Sequence, residues 1–163
     1  ARLSVPGFKV LRWERDPDAD GQPFHDPAHY SAVAVATSGT HDTEPMAVWW
    51  ERAPAEERHA LVAIPLVRDR LTVDDRAGAL AAPGLPDRLR DALIEALYAS
   101  GANLLILPIQ DVFGWTDRIN EPGTVNATNW TWRLPWLSDA LSADADAAAA
   151  AERLRTWATW YGR

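Results

Sequence analysis

Residues 31–37 read SAVAVAT, a run of small, mostly apolar side chains with no polar alternation. A strand with one wet face alternates polar and apolar residues, whereas a strand covered on both faces is apolar nearly throughout. This run therefore predicts a buried strand of a parallel sheet, which requires further strands and helical crossovers between them. Two other stretches supply strand candidates. FKVLRW, residues 8–13, alternates well enough for a strand, and NLLILPI, residues 103–109, is a short apolar one.

Helical signals fill the gaps. Thr43 or Asp42 is placed to cap a helix running to about Arg52, and AEERHALVAI continues helically after Pro54. Leu85 to Ser100 is the clearest helix. Pro86 sits at its start, Leu89, Leu93 and Leu97 recur on one face, and Gly101 follows its end. Residues 142–161 predict a last helix, with Leu154, Trp157 and Tyr161 on one side. Residues 66–85 read as mixed and Pro/Gly-rich, residues 16–30 and 110–136 as loops, and ARLSVPG as the end of a helix and a turn. No internal repeat or linker divides residues 1–163, so they read as a single segment.

Strands separated by helices predict the α/β class. The polar, Trp-rich loops follow the strands, and in a barrel of alternating strands and helices the loops at the carboxyl ends of the strands carry the active site. A complete barrel takes eight strands and about 250 residues. Three parallel strands with flanking helices in 163 residues are therefore expected to be the carboxyl-terminal portion of a (β/α)8 (TIM) barrel. Loops after parallel strands share a rim, so Glu14, His41, Asp42 and Gln110 are expected at the same end of the sheet.

Composition excludes several functions. A net charge of −7 argues against nucleic acid, whose phosphates need clustered Lys and Arg. There is no Cys, hence no disulfide framework and no thiolate metal site. No apolar run approaches the roughly 18 residues of a membrane span, and no secretory leader pattern opens the sequence, which reads as a cytoplasmic protein. Metal: none is expected. His25 and His29 lie in a loop with Pro27 between them, and the Asp16, Asp18, Asp20 alternation has Pro27 where a calcium loop needs Glu. Of nine Trp, most are assigned to packing; the remainder are platforms on which sugar rings can stack.

Chemistry concentrates in GTHDTEP (39–45), PIQDVFGW (108–115) and RINEPGTVNATNWTWRLPW (118–136). Together with VPGFKVLRWERD (5–16), these segments resemble, in order, the carboxyl-terminal part of the 4-α-glucanotransferases: the amylomaltases or disproportionating enzymes of glycoside hydrolase family 77. The resemblance runs from residue 3 to about residue 136. It implies a barrel enzyme that transfers α-1,4-glucan segments between maltooligosaccharides with retention and without a cofactor. The family's reaction uses an Asp nucleophile, a Glu acid/base and a second Asp that binds sugar hydroxyls as the ring flattens. A retaining reaction sets nucleophile and acid/base about 5 to 5.5 Å apart.

By its place in GTHD, Asp42 matches the transition-state stabiliser and His41 the imidazole on the same glucose. Gln110 and Asp111, ending a strand at the active-site face, are candidate substrate-binding residues; Asp111 can equally close a turn or pair with Arg118. Asn129, Trp130 and Arg133 are expected to shape the loop that closes the site, with Arg133 paired to a buried carboxylate. Asp42 has a plain structural alternative as a helix cap, and both roles can hold. Where many relatives continue GTHD with Asn-Asp, this sequence has Thr43-Glu44-Pro45. The family's Arg-x-Asp nucleophile segment and its Glu-Asp-Leu-Gly-type acid/base segment do not occur in these residues, and Arg118-Ile-Asn120 fits the later R-x-N-x-PGT motif instead. The chain alone is therefore expected to be inactive, and to self-associate or require the missing amino-terminal portion. Two alternatives stay open: a non-catalytic carbohydrate-binding or structural module derived from the same barrel, and an α-amylase-type hydrolase.

Overall fold

The computed structural model describes residues 5–163; the expected helix end at ARLS lies outside the described residues. Three parallel strands form one sheet in the order β1 (Gly7–Val10), β2 (Ala34–Thr37), β3 (Leu104–Leu105). Phe8, Val35 and Leu104 stand side by side in register, and so do Lys9, Ala36 and Leu105. All four residues of β2 are buried, as expected of a strand with no polar face. β3 is shorter than its apolar run suggests, but Asn103 N–H to Ala32 and Ile106 N–H to Ala36, at 3.0 and 3.1 Å, extend the pairing at both ends.

The helices are α1 (Met46–Arg52), α2 (Ala55–Ala63), α3 (Pro65–Arg68), α4 (Val73–Ala81), α5 (Asp87–Tyr98), α6 (Ile109–Phe113) and α7 (Ala145–Trp160). In α5, Leu89, Ala92, Leu93, Ala96 and Leu97 are buried against one core with Leu11, Ala34, Ala36, Trp50, Leu61 and Trp157. Fully burying one Leu contributes about 1.5–3 kcal/mol, so this stripe fastens α5 in the core. Where α5 ends, Gly101 passes so close to the preceding loop that a Cβ would lie 2.5 Å from the Tyr30 carbonyl oxygen; no other residue fits there. Trp50 and Trp157 are core residues, and Trp49, partly buried, packs against the core. Trp115 and Trp136 pack on Phe113 and Trp132 on Trp115, while Trp13, Trp130 and Trp160 are exposed.

Three expectations are corrected. Residues 66–85 are not mixed: α4 forms there behind a capping box, in which the Thr72 hydroxyl accepts from Asp75 N–H and the Asp75 carboxylate accepts from Thr72 N–H. The loop expected from residue 110 begins with α6, stopped by Gly114 in the left-handed region at φ 72°. Finally, neither Asp42 nor Thr43 caps α1. Pro45 occupies the cap position without a side-chain bond, and a carboxylate from α6 takes the role. The reason is local: residues 40–43 form their own closed turn, which holds Asp42 away from the helix.

Candidate active site

The rim is built where β2 ends. The Thr37 hydroxyl donates to the Gly39 carbonyl at 2.6 Å, and Ser38 Oγ donates to Asp111 Oδ2 at 2.5 Å. Thr43 then closes a tight turn: its N–H and its hydroxyl both donate to the Thr40 carbonyl, and its hydroxyl accepts from Thr40 N–H. His41 and Asp42 occupy the tip of that turn, with side chains about half exposed. A Cβ on Gly39 would lie 2.6 Å from Thr43 Oγ1, so the turn needs a glycine before it.

The long loop after α6 reaches back to this tip. Asn120 Nδ2 donates to Asp42 Oδ1 at 2.6 Å, and Arg118 donates to the backbone carbonyl of Asp42 at 2.9 Å. His41 Nε2 lies 3.4 Å from the same Oδ1. The Trp130 ring sits 5.1 Å from the His41 ring, tilted by 41°. Trp130 adopts φ 63°, an uncommon conformation for a bulky residue that is typically retained where surroundings over-determine it. The bond from Trp130 N–H to the Ile119 carbonyl at 2.8 Å helps hold it there. Asn129 fastens the rest of the loop through Glu121 N–H and the Thr124 carbonyl.

All three strand exits meet here. An open cleft of about 400 Å³ is lined by Arg12, Trp13 and Arg15 after β1, by Asp42, Thr43 and Glu44 after β2, and by Arg118 from beyond β3. Trp13 and Trp49 stand in the cleft beside the guanidiniums of Arg12, Arg15 and Arg118 and the carboxylates of Asp42, Glu44 and Glu57. His41 and Gln110 border a smaller pocket with Pro108, Arg118 and Ile119. Glu14 faces neither space; it pairs with Lys9 at 2.5 Å.

Gln110 and Asp111 lie on α6 beneath the rim, each 2% exposed. Gln110 Nε2 finds no hydrogen-bond partner within the described residues. Asp111 does not pair with Arg118. Its Oδ1 accepts from Met46 N–H at 2.7 Å and its Oδ2 accepts from Ser38. Burial pushes the Asp111 carboxyl above its ordinary value, against the Ser38 hydroxyl, the Met46 N–H and the Arg12 charge, which pull it down. Burial likewise lowers the Arg12 guanidinium, with Asp111 and Glu44 opposing; Arg12 also donates to the Glu44 carbonyl at 2.5 Å. Arg133 has no buried carboxylate partner among the described residues and donates to the Trp132 carbonyl. Sequence reasoning gave no role at Asp42 to Asn120 or to Arg118; their place in the ordered R-x-N-x-PGT motif was the available signal. No group of three or more His, Cys, Asp or Glu able to hold a metal occurs among the described residues.

Polar side chains gathered at the carboxyl ends of parallel strands mark the site of an α/β enzyme, in barrels and in doubly wound sheets alike. The chain belongs to glycoside hydrolase family 77, the 4-alpha-glucanotransferases, which residues 1–139 match. It is 29% identical to the chloroplastic/amyloplastic 4-alpha-glucanotransferase of Solanum tuberosum, over 99% of this chain and 24% of that protein. With the 4-alpha-glucanotransferase of Synechocystis sp. it shares 32% identity over 86% of this chain and 26% of the relative. The amylomaltase of Streptococcus agalactiae, solved in complex with acarbose, superposes with a TM-score of 0.66 at 23% identity over 98% of this chain and 28% of that one. Amylomaltase of Corynebacterium glutamicum gives 0.71 at 18% identity, over 91% and 25%. The fold is thus three parallel strands with flanking helices from such a barrel, and the chain spans about a quarter of the length of the curated relatives it matches.

Proposed function

We propose that these residues supply the His41–Asp42 rim of an enzyme that transfers α-1,4-glucan segments between maltooligosaccharides with retention. The observation that carries this is the state of Asp42. Its carboxylate stands at the tip of a turn after the central strand, oriented through Oδ1 by Asn120 and flanked by His41. A half-exposed, externally oriented carboxylate is well placed to accept sugar hydroxyls. Contacts to the 2-OH tighten as the ring becomes oxocarbenium-like and stabilise that state by several kcal/mol. His41, backed by Trp130, offers a further polar contact and an aromatic edge to the same ring. Gln110 lines the small pocket beside His41, and its Nε2 is a buried donor without a partner among the described residues. Maltooligosaccharides and α-1,4-glucan are the proposed substrates, and the cytoplasm is the proposed compartment.

Asp42 provides neither the nucleophile nor the acid/base. The 163 residues hold one of the three carboxylates that the family's reaction uses, so this segment by itself is expected to give no transfer product from maltotriose. The reading is tested with Asp42→Asn in the full-length protein. An interaction realised in the transition state lowers kcat more than it weakens binding. The expected result is a turnover loss of roughly 100-fold or more, the scale of several kcal/mol of transition-state contact, with KM changed only a few-fold. A weaker apparent affinity at unchanged turnover would make Asp42 a ground-state binder instead.

A further inference from the structure

We infer that Asp111 is a positioning residue for His41 and Asp42, a single buried carboxylate that holds both ends of the rim loop. This rests on the reading of His41 and Asp42 as the sugar-contacting pair. Asp111 arrives from α6, beyond β3, yet its two oxygens bind the two ends of the segment that follows β2. Oδ2 accepts from Ser38 Oγ, the first residue after the strand, and Oδ1 accepts from Met46 N–H, the first residue of α1. Everything between these points, residues 39–45, is the turn that carries His41 and Asp42. The site thus has a buried clamp at its base.

The local sequence explains why an outside group is needed. Pro45 sits at the cap position of α1 and has no side-chain oxygen to offer, so the first N–H of the helix has no cap from its own neighbourhood. The turn of residues 40–43 consumes the hydroxyl of Thr43 internally. Ser38 is buried at 1% exposure and Asp111 at 2%, so water does not compete for either bond. Gly39 fits between: its missing Cβ would stand 3.6 Å from Asp111 Oδ2 and 3.7 Å from Arg12 Nη2. Arg12, from the exit of β1, donates to the Glu44 carbonyl near the far end of the same loop. The rim of one strand is therefore pinned by its neighbours on both sides, and Asp111 grips both ends. A small displacement of a reacting contact is enough to reduce rate about 100-fold, so a clamp of this kind bears on turnover as well as on stability.

The test uses the full-length protein with maltotriose, with kcat and KM measured separately at a temperature well below the onset of melting. Asp111→Leu fills similar space and holds neither partner. Asp111→Asn restores both bonds, its carbonyl accepting from Met46 N–H and its amide donating to Ser38 Oγ. Asp42→Asn is run alongside. The expected result is a kcat loss of roughly 10- to 100-fold in Asp111→Leu with KM within a few-fold, and recovery of most of that loss in Asp111→Asn. Ser38→Ala cuts one tie and keeps the other, and should fall between them; it decides the matter if Asp111→Leu does not fold. A folded Asp111→Leu or Ser38→Ala protein with lowered melting temperature but unchanged kcat, beside an impaired Asp42→Asn, would overturn the inference and leave Asp111 purely structural. Unchanged constants in Asp42→Asn would remove the reading of the site itself, and the inference with it.

Discussion

Gly39 has no room for a side chain where it enters the rim turn. A methyl group there collides with Thr43 Oγ1 at 2.6 Å, and relief requires rotating the hydroxyl that closes the turn. Gly39→Ala is expected to cost about 1–3 kcal/mol, the range for forcing extra volume into a packed site, and to lower turnover by moving His41 and Asp42; chemical denaturation and initial rates on the same preparation measure the two effects. Asp111 adds a pH dependence. Its carboxyl lies above the ordinary Asp value of 3.8 in the folded chain because burial disfavours the charge. The folded state therefore binds the proton more tightly than the unfolded one. The resulting stabilisation is full below the ordinary value and is lost as pH rises through the raised one. Asp111→Asn carries no such proton. Its melting temperature relative to the parent should thus rise as pH increases across that window, and an unchanged gap would mean that the Asp111 carboxyl is not raised.

Among the helices, α5 and α1 are held by different means. α5 carries its own specification: a repeating Leu stripe, a Pro at the start and a Gly soon after the end. Leu93 is 1% exposed in the centre of that stripe, and Leu93→Ala should destabilise by about 2–5 kcal/mol, read from urea unfolding. A loss under about 1 kcal/mol would mean that α5 does not anchor the core. α1 has seven residues and α6 five, well below the roughly 12–15 at which an isolated helix becomes marginal in water. Both form because packing holds them, and α1 is capped from outside by Asp111. That is why the sequence showed α5 plainly, placed the α1 cap on the wrong residues and read α6 as loop. The true cap of α1 is 65 positions away, and no local pattern encodes a bond of that span.

At the scale of the whole molecule, the described residues form a three-stranded parallel sheet with flanking helices. β1 and β3 form its two edges among the described residues. On those edges, flanking the buried Val35, Phe8 and Leu104 are 60% and 50% exposed, with Ile106 also exposed. Unpaired edges and exposed apolar side chains favour association with other strands. Sedimentation of the 163-residue chain over a range of concentrations should show mass increasing with concentration. A monomer throughout, with a cooperative melt, would show that these edges are stable in water by themselves.

The division between sequence and tertiary structure follows the range of the interactions. Periodicity is local, so the all-apolar run at 31–37, the stripe of α5 and the order of strand and helix signals determined an α/β sheet of three parallel strands. The ordered motifs determined the family and singled out His41 and Asp42. Contacts between distant segments are not periodic and leave no local trace. Only the folded chain joined Asn120 to Asp42, set Trp130 against His41, buried Gln110 and Asp111 beneath the rim, and turned Asp111 toward the two ends of the loop it holds. Those pairings exist because parallel strands bring their carboxyl ends together, and residues as far as 78 positions apart become hydrogen-bonded neighbours there.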